Sequence, residues 1–239
     1  LSSHQSKYFD LYLWERGKIR RLTEETVSAY TVSPDGGEII FVSDVEGERF
    51  LYRLETATGK TTLLPLALSN PVEVAWSPAG DRLAVTVNTR GDTDIYLVNL
   101  KGEVLQAVTG GPADETSPSW SPDGERLVYV AEQAGFDQLY IWDGKKSRRL
   151  TGAGTHHREP VWGEDGRIYF TLGDKGYYRT AAVDPEEGKI EVLSPFRETL
   201  LHPYPLPGGE ILSTVYQNGT YKIYRWRPPG HGEKGVTAE

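Results

Sequence analysis

Five turn-closing glycines recur along this chain at nearly constant spacing. Gly36, Gly80, Gly124, Gly166 and Gly209 are separated by 44, 44, 42 and 43 residues. Ser33-Pro34-Asp35-Gly36 and Ser121-Pro122-Asp123-Gly124 are full copies of one turn, and Ser77-Pro78-Ala79-Gly80 changes one residue. Gly163-Glu164-Asp165-Gly166 keeps the Asp-Gly pair, and Leu206-Pro207-Gly208-Gly209 keeps the turn chemistry. Proline presets φ for the second position of a β-turn, aspartate tolerates the next, and glycine supplies positive φ. A period in this range belongs to a repeat architecture, whose units bury their faces only against neighbours.

One unit reads cleanly from Tyr30 to Pro65. A first strand ends at Val32, and the Ser-Pro-Asp-Gly turn follows. Glu38 to Ser43 is a β-branched and aromatic run, hence a second strand. Asp44-Val45-Glu46-Gly47 turns, Phe50 to Leu54 is a third strand, Ala57-Thr58-Gly59-Lys60 turns again, and Thr61 to Leu64 is a fourth. Four short antiparallel strands in about 40 residues make one blade of a β-propeller. The expected fold class is all-β, with four-stranded blades.

The copies share columns. Third strands carry Leu11-Tyr12, Leu51-Tyr52, Ile95-Tyr96, Leu139-Tyr140 and Ile223-Tyr224, and only Thr180 breaks the tyrosine series. Fourth strands end in an aliphatic then a hydroxyl residue: Leu22-Thr23, Val108-Thr109, Leu150-Thr151, Leu193-Ser194 and Val236-Thr237. First strands end in Trp76, Trp120 and Trp162. Aromatics repeated once per blade read as packing between blades. Asp35, Asp123 and Asp165 recur in the turn and read as structural acceptors. Arg20-Arg21 and Arg148-Arg149 sit on outer edge strands, where charge guards against sheet-to-sheet pairing.

The repeat runs end to end, so 1–239 is expected to be a single propeller domain. Its units lie near 1–23 (partial), 24–65, 66–109, 110–151, 152–194 and 195–239. Residues 1–23 align with only the second half of a unit. Six blade positions with a partial first blade are favoured, and a five-bladed ring with leftover strands at the seam is the alternative.

The formal net charge of −8 argues against non-specific nucleic-acid binding. Cysteine is absent, which excludes disulfides, thiolate metal sites and cysteine nucleophiles. No apolar run approaches the roughly 20 residues of a spanning helix, so membrane insertion is not expected. The start at Leu1 carries no signal-peptide pattern, so a processed or partial chain is expected.

Trp120-Ser121-Pro122-Asp123-Gly124-Glu125-Arg126-Leu127-Val128-Tyr129-Val130, followed by a glycine turn, an Ile-Tyr strand and a Leu-Thr ending, resembles the TolB-type propeller repeat. The resemblance covers nearly the whole chain and is specific for fold. It implies a periplasmic or extracytoplasmic protein that binds other proteins of the cell envelope. Similar repeats form the gate of prolyl-oligopeptidase-type peptidases, and oligogalacturonate lyases in which histidines hold a metal. No Gly-x-Ser-x-Gly elbow is present.

Function is expected in the loops joining the fourth strand of one blade to the first of the next, or the second strand to the third. The candidate ligand-binding residues there are Asp114, Glu115, His156, His157, Arg158, Arg197 and His202, together with the neighbouring polar loops Glu24-Glu25 and Ser69-Asn70. Arg158 and Arg197 suit a carboxylate or phosphate, with pairing to Glu159 and Glu198 as the alternative. Asp114-Glu115 suits a cation or basic partner, or is a solvated turn. His156 or His157 with His202 and Glu159 would make a three-ligand metal site, but adjacent strand residues point to opposite sides and no ligand-spacing motif supports it, so no metal and no cofactor is expected. A non-enzymatic scaffold binding a protein or peptide through its loop face and central channel is the leading expectation. A peptidase gate and a metal-dependent lyase or hydrolase are the alternatives.

Overall fold

The structure is a computed structural model that describes residues 10–24, 26–89, 91–152, 154–174, 176–194, 199–217 and 219–229. The chain divides after Pro118 into two compact units. Every regular element among the described residues is a β-strand, and all sheets are antiparallel meanders.

In the first unit, β1 (Tyr12–Glu15) and β2 (Lys18–Arg21) form a two-stranded sheet. It falls where the sequence places the partial first repeat. Next comes the sheet of β3 (Val27–Val32), β4 (Glu38–Val45), β5 (Glu48–Glu55) and β6 (Thr61–Leu64). It is followed by β7 (Pro71–Trp76), β8 (Arg82–Thr89), β9 (Asp92–Asn99) and β10 (Val104–Ala107). Strand β11 (Glu115–Trp120) crosses the division and starts the sheet completed by β12 (Leu127–Gln133), β13 (Phe136–Trp142) and β14 (Ser147–Arg149). The second unit continues with β15 (His156–Trp162), β16 (Ile168–Asp174), β17 (Tyr177–Val183) and β18 (Ile190–Val192). It ends with β19 (Leu200–Leu206), β20 (Glu210–Gln217) and β21 (Thr220–Trp226), a three-stranded sheet among the described residues. These sheets are the blades of an all-β propeller.

The repeated turn holds itself together. Ser33 Oγ donates to Asp35 Oδ1 at 2.6 Å, which also accepts the Gly37 N–H at 2.9 Å, while Ser33 Oγ accepts the Glu38 N–H at 2.9 Å. Gly36 takes φ +72°, as the turn requires. Hydrogen bonds to the Asp35 carboxylate, first from Ser33 and then from Gly37, hold its pKa below the usual carboxylate range. Ser121 and Asp123 repeat the arrangement. Where Ala79 replaces the aspartate, Ser77 Oγ donates instead to Asp81 at 2.9 Å.

The aromatic and aliphatic columns are inter-sheet core. Ile40, Val42 and Leu51 of one sheet pack with Val74, Trp76 and Val85 of the next. Val128, Leu139 and Ile141 pack with Trp162 and Phe170, and Tyr169 and Ala182 with Ile211, Val215 and Trp226. Each fully buried large apolar side chain contributes about 1.5–3 kcal/mol.

Two of the edge arginines also make contacts between blades. On β2 the Arg20 guanidinium donates to the Thr56 carbonyl, and on β14 Arg148 donates to the Pro185 carbonyl at 2.6 Å. Each reaches the third-to-fourth-strand turn of the following blade. These side chains therefore tie blades together as well as charging an edge.

Candidate functional site

In each blade whose four strands are described, the second-to-third hairpin and the connector leaving the fourth strand lie at the same strand ends, and the described candidates fall at these ends. In the first unit, Asp114 Oδ1 accepts the Thr93 N–H at 3.0 Å and the Thr93 hydroxyl at 3.1 Å. Its carboxylate is spent fastening the connector to the start of β9. Glu115 follows at the start of β11 and is buried. Burial pushes its pKa up to about 7, opposed by the Thr109 hydroxyl and assisted by Asp94, Asp114 and Asp92. Glu115 Oε2 and Asp94 Oδ1 are buried without a hydrogen-bond partner among the described residues.

In the second unit, His156 repeats the position of Asp114, each standing six residues before a blade tryptophan. Its Nδ1 lies 2.9 Å from Asp137 Oδ2 and 3.3 Å from the Asp137 backbone nitrogen. The Arg158 guanidinium donates to the same Asp137 oxygen. His157 points the other way into the core, against Phe170 at 5.3 Å between ring centroids. Burial, with a smaller push from His156, lowers its pKa to about 4, so the ring is neutral.

His202 pairs with Glu159 rather than with the other histidines. Glu159 Oε2 accepts the His202 N–H at 2.7 Å and the Thr171 hydroxyl at 2.7 Å, and Oε1 lies 3.0 Å from His202 Nε2. Both residues take positive φ, at +55° and +51°, beside a break in strand register. The bulge swings the backbone amide toward the preceding blade. Glu73 does the same in the first unit, accepting the Ser117 N–H at 2.5 Å and the Thr86 hydroxyl at 3.2 Å. Glu73 and Glu159 each stand three residues before a tryptophan, a column legible in the sequence.

The structure thus separates the candidates into clasps: Asp114 on Thr93, His156 and Arg158 on Asp137, His202 on Glu159. Among the described residues no three His, Asp or Glu side chains are grouped to hold a metal ion. Arg197, with Glu198 and Glu25, lies outside the described residues, as do residues 1–9 and Val236-Thr237.

What the polar search missed is apolar. Between the hairpin joining β4 to β5 and the connector from β6 to β7 lies a groove of about 580 Å³. Phe50, Leu63, Leu64, Leu66 and Leu68 line it, with Arg49 beside Phe50. Ser69 and Asn70, on a connector where function was expected, line it too. The run Leu63-Leu64-Pro65-Leu66-Ala67-Leu68 was the sequence signal, since connectors are ordinarily polar. Ala67 N donates to the Gly102 carbonyl at 3.1 Å, which pins this connector to the next blade. A second groove of about 600 Å³, lined by Trp162, Asp165, Tyr204, Pro205 and Pro207, lies beside the repeated turns of the second unit, away from the expected loops.

The defining pattern of the TolB beta propeller domain matches residues 70–223. A TolB homologue from Chlorobium luteolum is 32% identical over 145 residues, covering 59% of this chain and 33% of the relative. The chain spans about a quarter to a third of the length of the curated relatives it matches. The crystal structure of TolB from Acinetobacter baumannii matches with a TM-score of 0.75 at 19% identity, over 92% of this chain and 57% of that one. An acylaminoacyl peptidase from Pyrococcus horikoshii matches at 0.68 and 14% identity, over 94% and 40%. Those two structures speak to fold alone, whereas the domain pattern spans most of the sequence. The chain belongs to the TolB beta propeller domain family.

Proposed function

We propose that this chain is a binding module that holds a short apolar segment of a protein partner in the groove between the β4–β5 hairpin and the β6–β7 connector. The observation that carries this is the lining. Five large apolar side chains, Phe50 of β5, Leu63 and Leu64 of β6 and Leu66 and Leu68 of the connector, gather at the loop end of the sheet, where a solitary domain would place polar residues. Leu63 is largely exposed to solvent. Among the described residues Arg49 has no carboxylate partner. The neighbouring Asp44 carboxylate instead accepts the Gly47 N–H at 3.0 Å. An acidic side chain or a terminal carboxylate of the bound segment complements Arg49, while leucine-type residues fill the groove. A periplasmic or extracytoplasmic location, as the family resemblance implies, belongs to the same proposal.

Selection from a displayed random-peptide library, followed by fluorescence anisotropy with the enriched peptides, tests it. Enriched sequences should pair an aliphatic residue with an acidic group. Arg49→Glu and Leu66→Asp should each weaken binding at least tenfold. Absence of enrichment, or binding indifferent to both substitutions, overturns the reading. The likeness to a peptidase propeller supports a second reading, in which the chain gates a catalytic domain encoded beside it; the complete gene decides that.

A further inference from the structure

We infer that the groove between the β15–β16 turn and the β19–β20 turn binds an extended, proline-containing segment of a partner protein that carries an arginine or lysine. This site is separate from the apolar groove of the first unit and does not rest on it. It lies where several columns of the repeat change together. Pro205 stands four residues before Gly209, whereas Trp76, Trp120 and Trp162 stand four before Gly80, Gly124 and Gly166. Trp76 and Trp162 fill the contact with the preceding sheet, and a pyrrolidine ring in place of an indole removes bulk from it. Tyr169 takes the ladder position that Ile40 and Ala84 hold in their sheets. Its hydroxyl donates to Asp165 Oδ2 at 2.7 Å, as the Ser33 and Ser121 hydroxyls do to the aspartates of their turns. A Cβ on Gly163 would lie 2.9 Å from the Tyr169 ring, so glycine in place of that serine admits the tyrosine. Glu164 replaces the proline found at Pro34, Pro78 and Pro122.

These changes leave a space of about 600 Å³ walled by Trp162, Tyr169, Tyr204, Pro205 and Pro207. Trp162 spends its indole N–H on the Gly166 carbonyl at 3.1 Å, and Arg126 covers its ring at 4.8 Å from the centroid. It therefore offers a ligand apolar surface. Tyr204 is exposed, and its hydroxyl has no partner among the described residues. A polyproline II segment makes no internal backbone hydrogen bonds and is already extended. Its rings pack on aromatic walls, its carbonyls accept from a hydroxyl such as that of Tyr204, and little ordering entropy is lost. Charge then selects the segment. Glu164 and Asp165 line the same groove, and Glu164 is exposed with no cationic partner among the described residues. An arginine or lysine of the segment complements them. A neutral sugar could stack on the same walls but would leave Glu164 unpaired.

Fluorescence anisotropy on the full chain, with a labelled proline heptapeptide flanked by arginines, tests the proposal. The peptide should bind at least tenfold more tightly than the same peptide flanked by glutamates. It should also bind at least tenfold more tightly than an alanine heptapeptide flanked by arginines, a control needed because the chain carries a net charge of −8. Tyr204→Ala should weaken binding at least fivefold. Glu164→Gln should reduce the preference for arginine over glutamate at least threefold. Both side chains are exposed, so thermal unfolding should be unchanged in either variant. Arg49→Glu, in the other groove, should leave the affinity within threefold. Equal binding of the alanine or glutamate peptide overturns the proposal, as does indifference to Tyr204→Ala or Glu164→Gln. A large loss in Arg49→Glu overturns it too, because it would put the peptide in the first groove. Binding of a labelled cello-oligosaccharide without binding of the proline peptide would make this a sugar site and overturn it equally.

Discussion

Glu159 receives both the backbone N–H and the imidazole of His202, 43 residues further on, at 2.7 and 3.0 Å. One carboxylate thereby fixes the bulged first strand of the following blade and turns two candidate ligands toward each other. Burial alone would raise the Glu159 pKa, but hydrogen bonds from His202 and Thr171 outweigh it and hold it below the usual range. The same hydrogen bond raises the pKa of His202.

The sign of the resulting pH dependence follows from those directions. His202 contributes fully below its ordinary value of 6.5 and loses its contribution as pH rises through the higher folded value. Glu159 contributes fully above its ordinary value of 4.5 and loses its contribution as pH falls through the lower folded value. The ion pair is therefore at full strength near pH 5.5. His202 is exposed, so His202→Gln should cost only about 0.2–1 kcal/mol there, and less at pH 9. Urea unfolding of both proteins at the two pH values measures the difference; an equal cost at both would remove the ionic contribution.

Glu115 runs the other way. Its folded pKa of about 7 lies above its ordinary 4.5, so the folded state holds the proton more tightly and stability falls as pH rises between those values. Glu115→Gln removes the buried charge. It should flatten that slope and leave the variant more stable than the parent at pH 8, by about 1–3 kcal/mol. Parallel stability curves from pH 5 to pH 8 would show that Glu115 does not titrate in this range.

Two glycines with similar backbone angles should respond very differently to alanine. Gly36 has φ +72° and open space around its Cβ direction, so Gly36→Ala should cost about 1–2 kcal/mol of left-handed strain. Gly102 has φ +84°, and a Cβ there would lie 1.7 Å from the Pro65 carbonyl oxygen. Gly102→Ala must displace the connector that lines the apolar groove. It should cost at least about 2 kcal/mol more than Gly36→Ala by thermal or urea unfolding.

The buried clasp at Thr151 tests the fourth-strand column directly. Thr151→Val leaves the Leu139 N–H without its 2.9 Å acceptor in a buried setting and should cost about 1–3 kcal/mol. Thr62→Val, at an exposed position of a fourth strand, should stay within about 0.5 kcal/mol. Urea midpoints for the two variants make the comparison, and equal losses would show that the clasp contributes nothing special.

The sequence by itself determined the blades. Ser-Pro-Asp-Gly turns, Leu-Tyr third strands and tryptophan-terminated first strands are local signals, readable because turn geometry and strand alternation depend on residues a few positions apart. Trp76, Trp120 and Trp162 are buried, and Trp76 and Trp162 pack against the aliphatic strands of the preceding sheet, as a residue repeated once per blade is expected to. Only the tertiary structure decided what the off-beat polar residues do. Asp114 meets Thr93, His156 meets Asp137, and His202 meets Glu159, each across 19 to 43 residues. Whether a histidine binds a ligand or fastens a strand depends on which side chain the fold places within 3 Å of it, and no local pattern carries that distance. The groove shows the same division. Leu63 to Leu68 was legible as an unusually apolar run, but the groove itself lies between that run and the hairpin at Gly47 to Leu51, a juxtaposition that exists only once the sheet has folded.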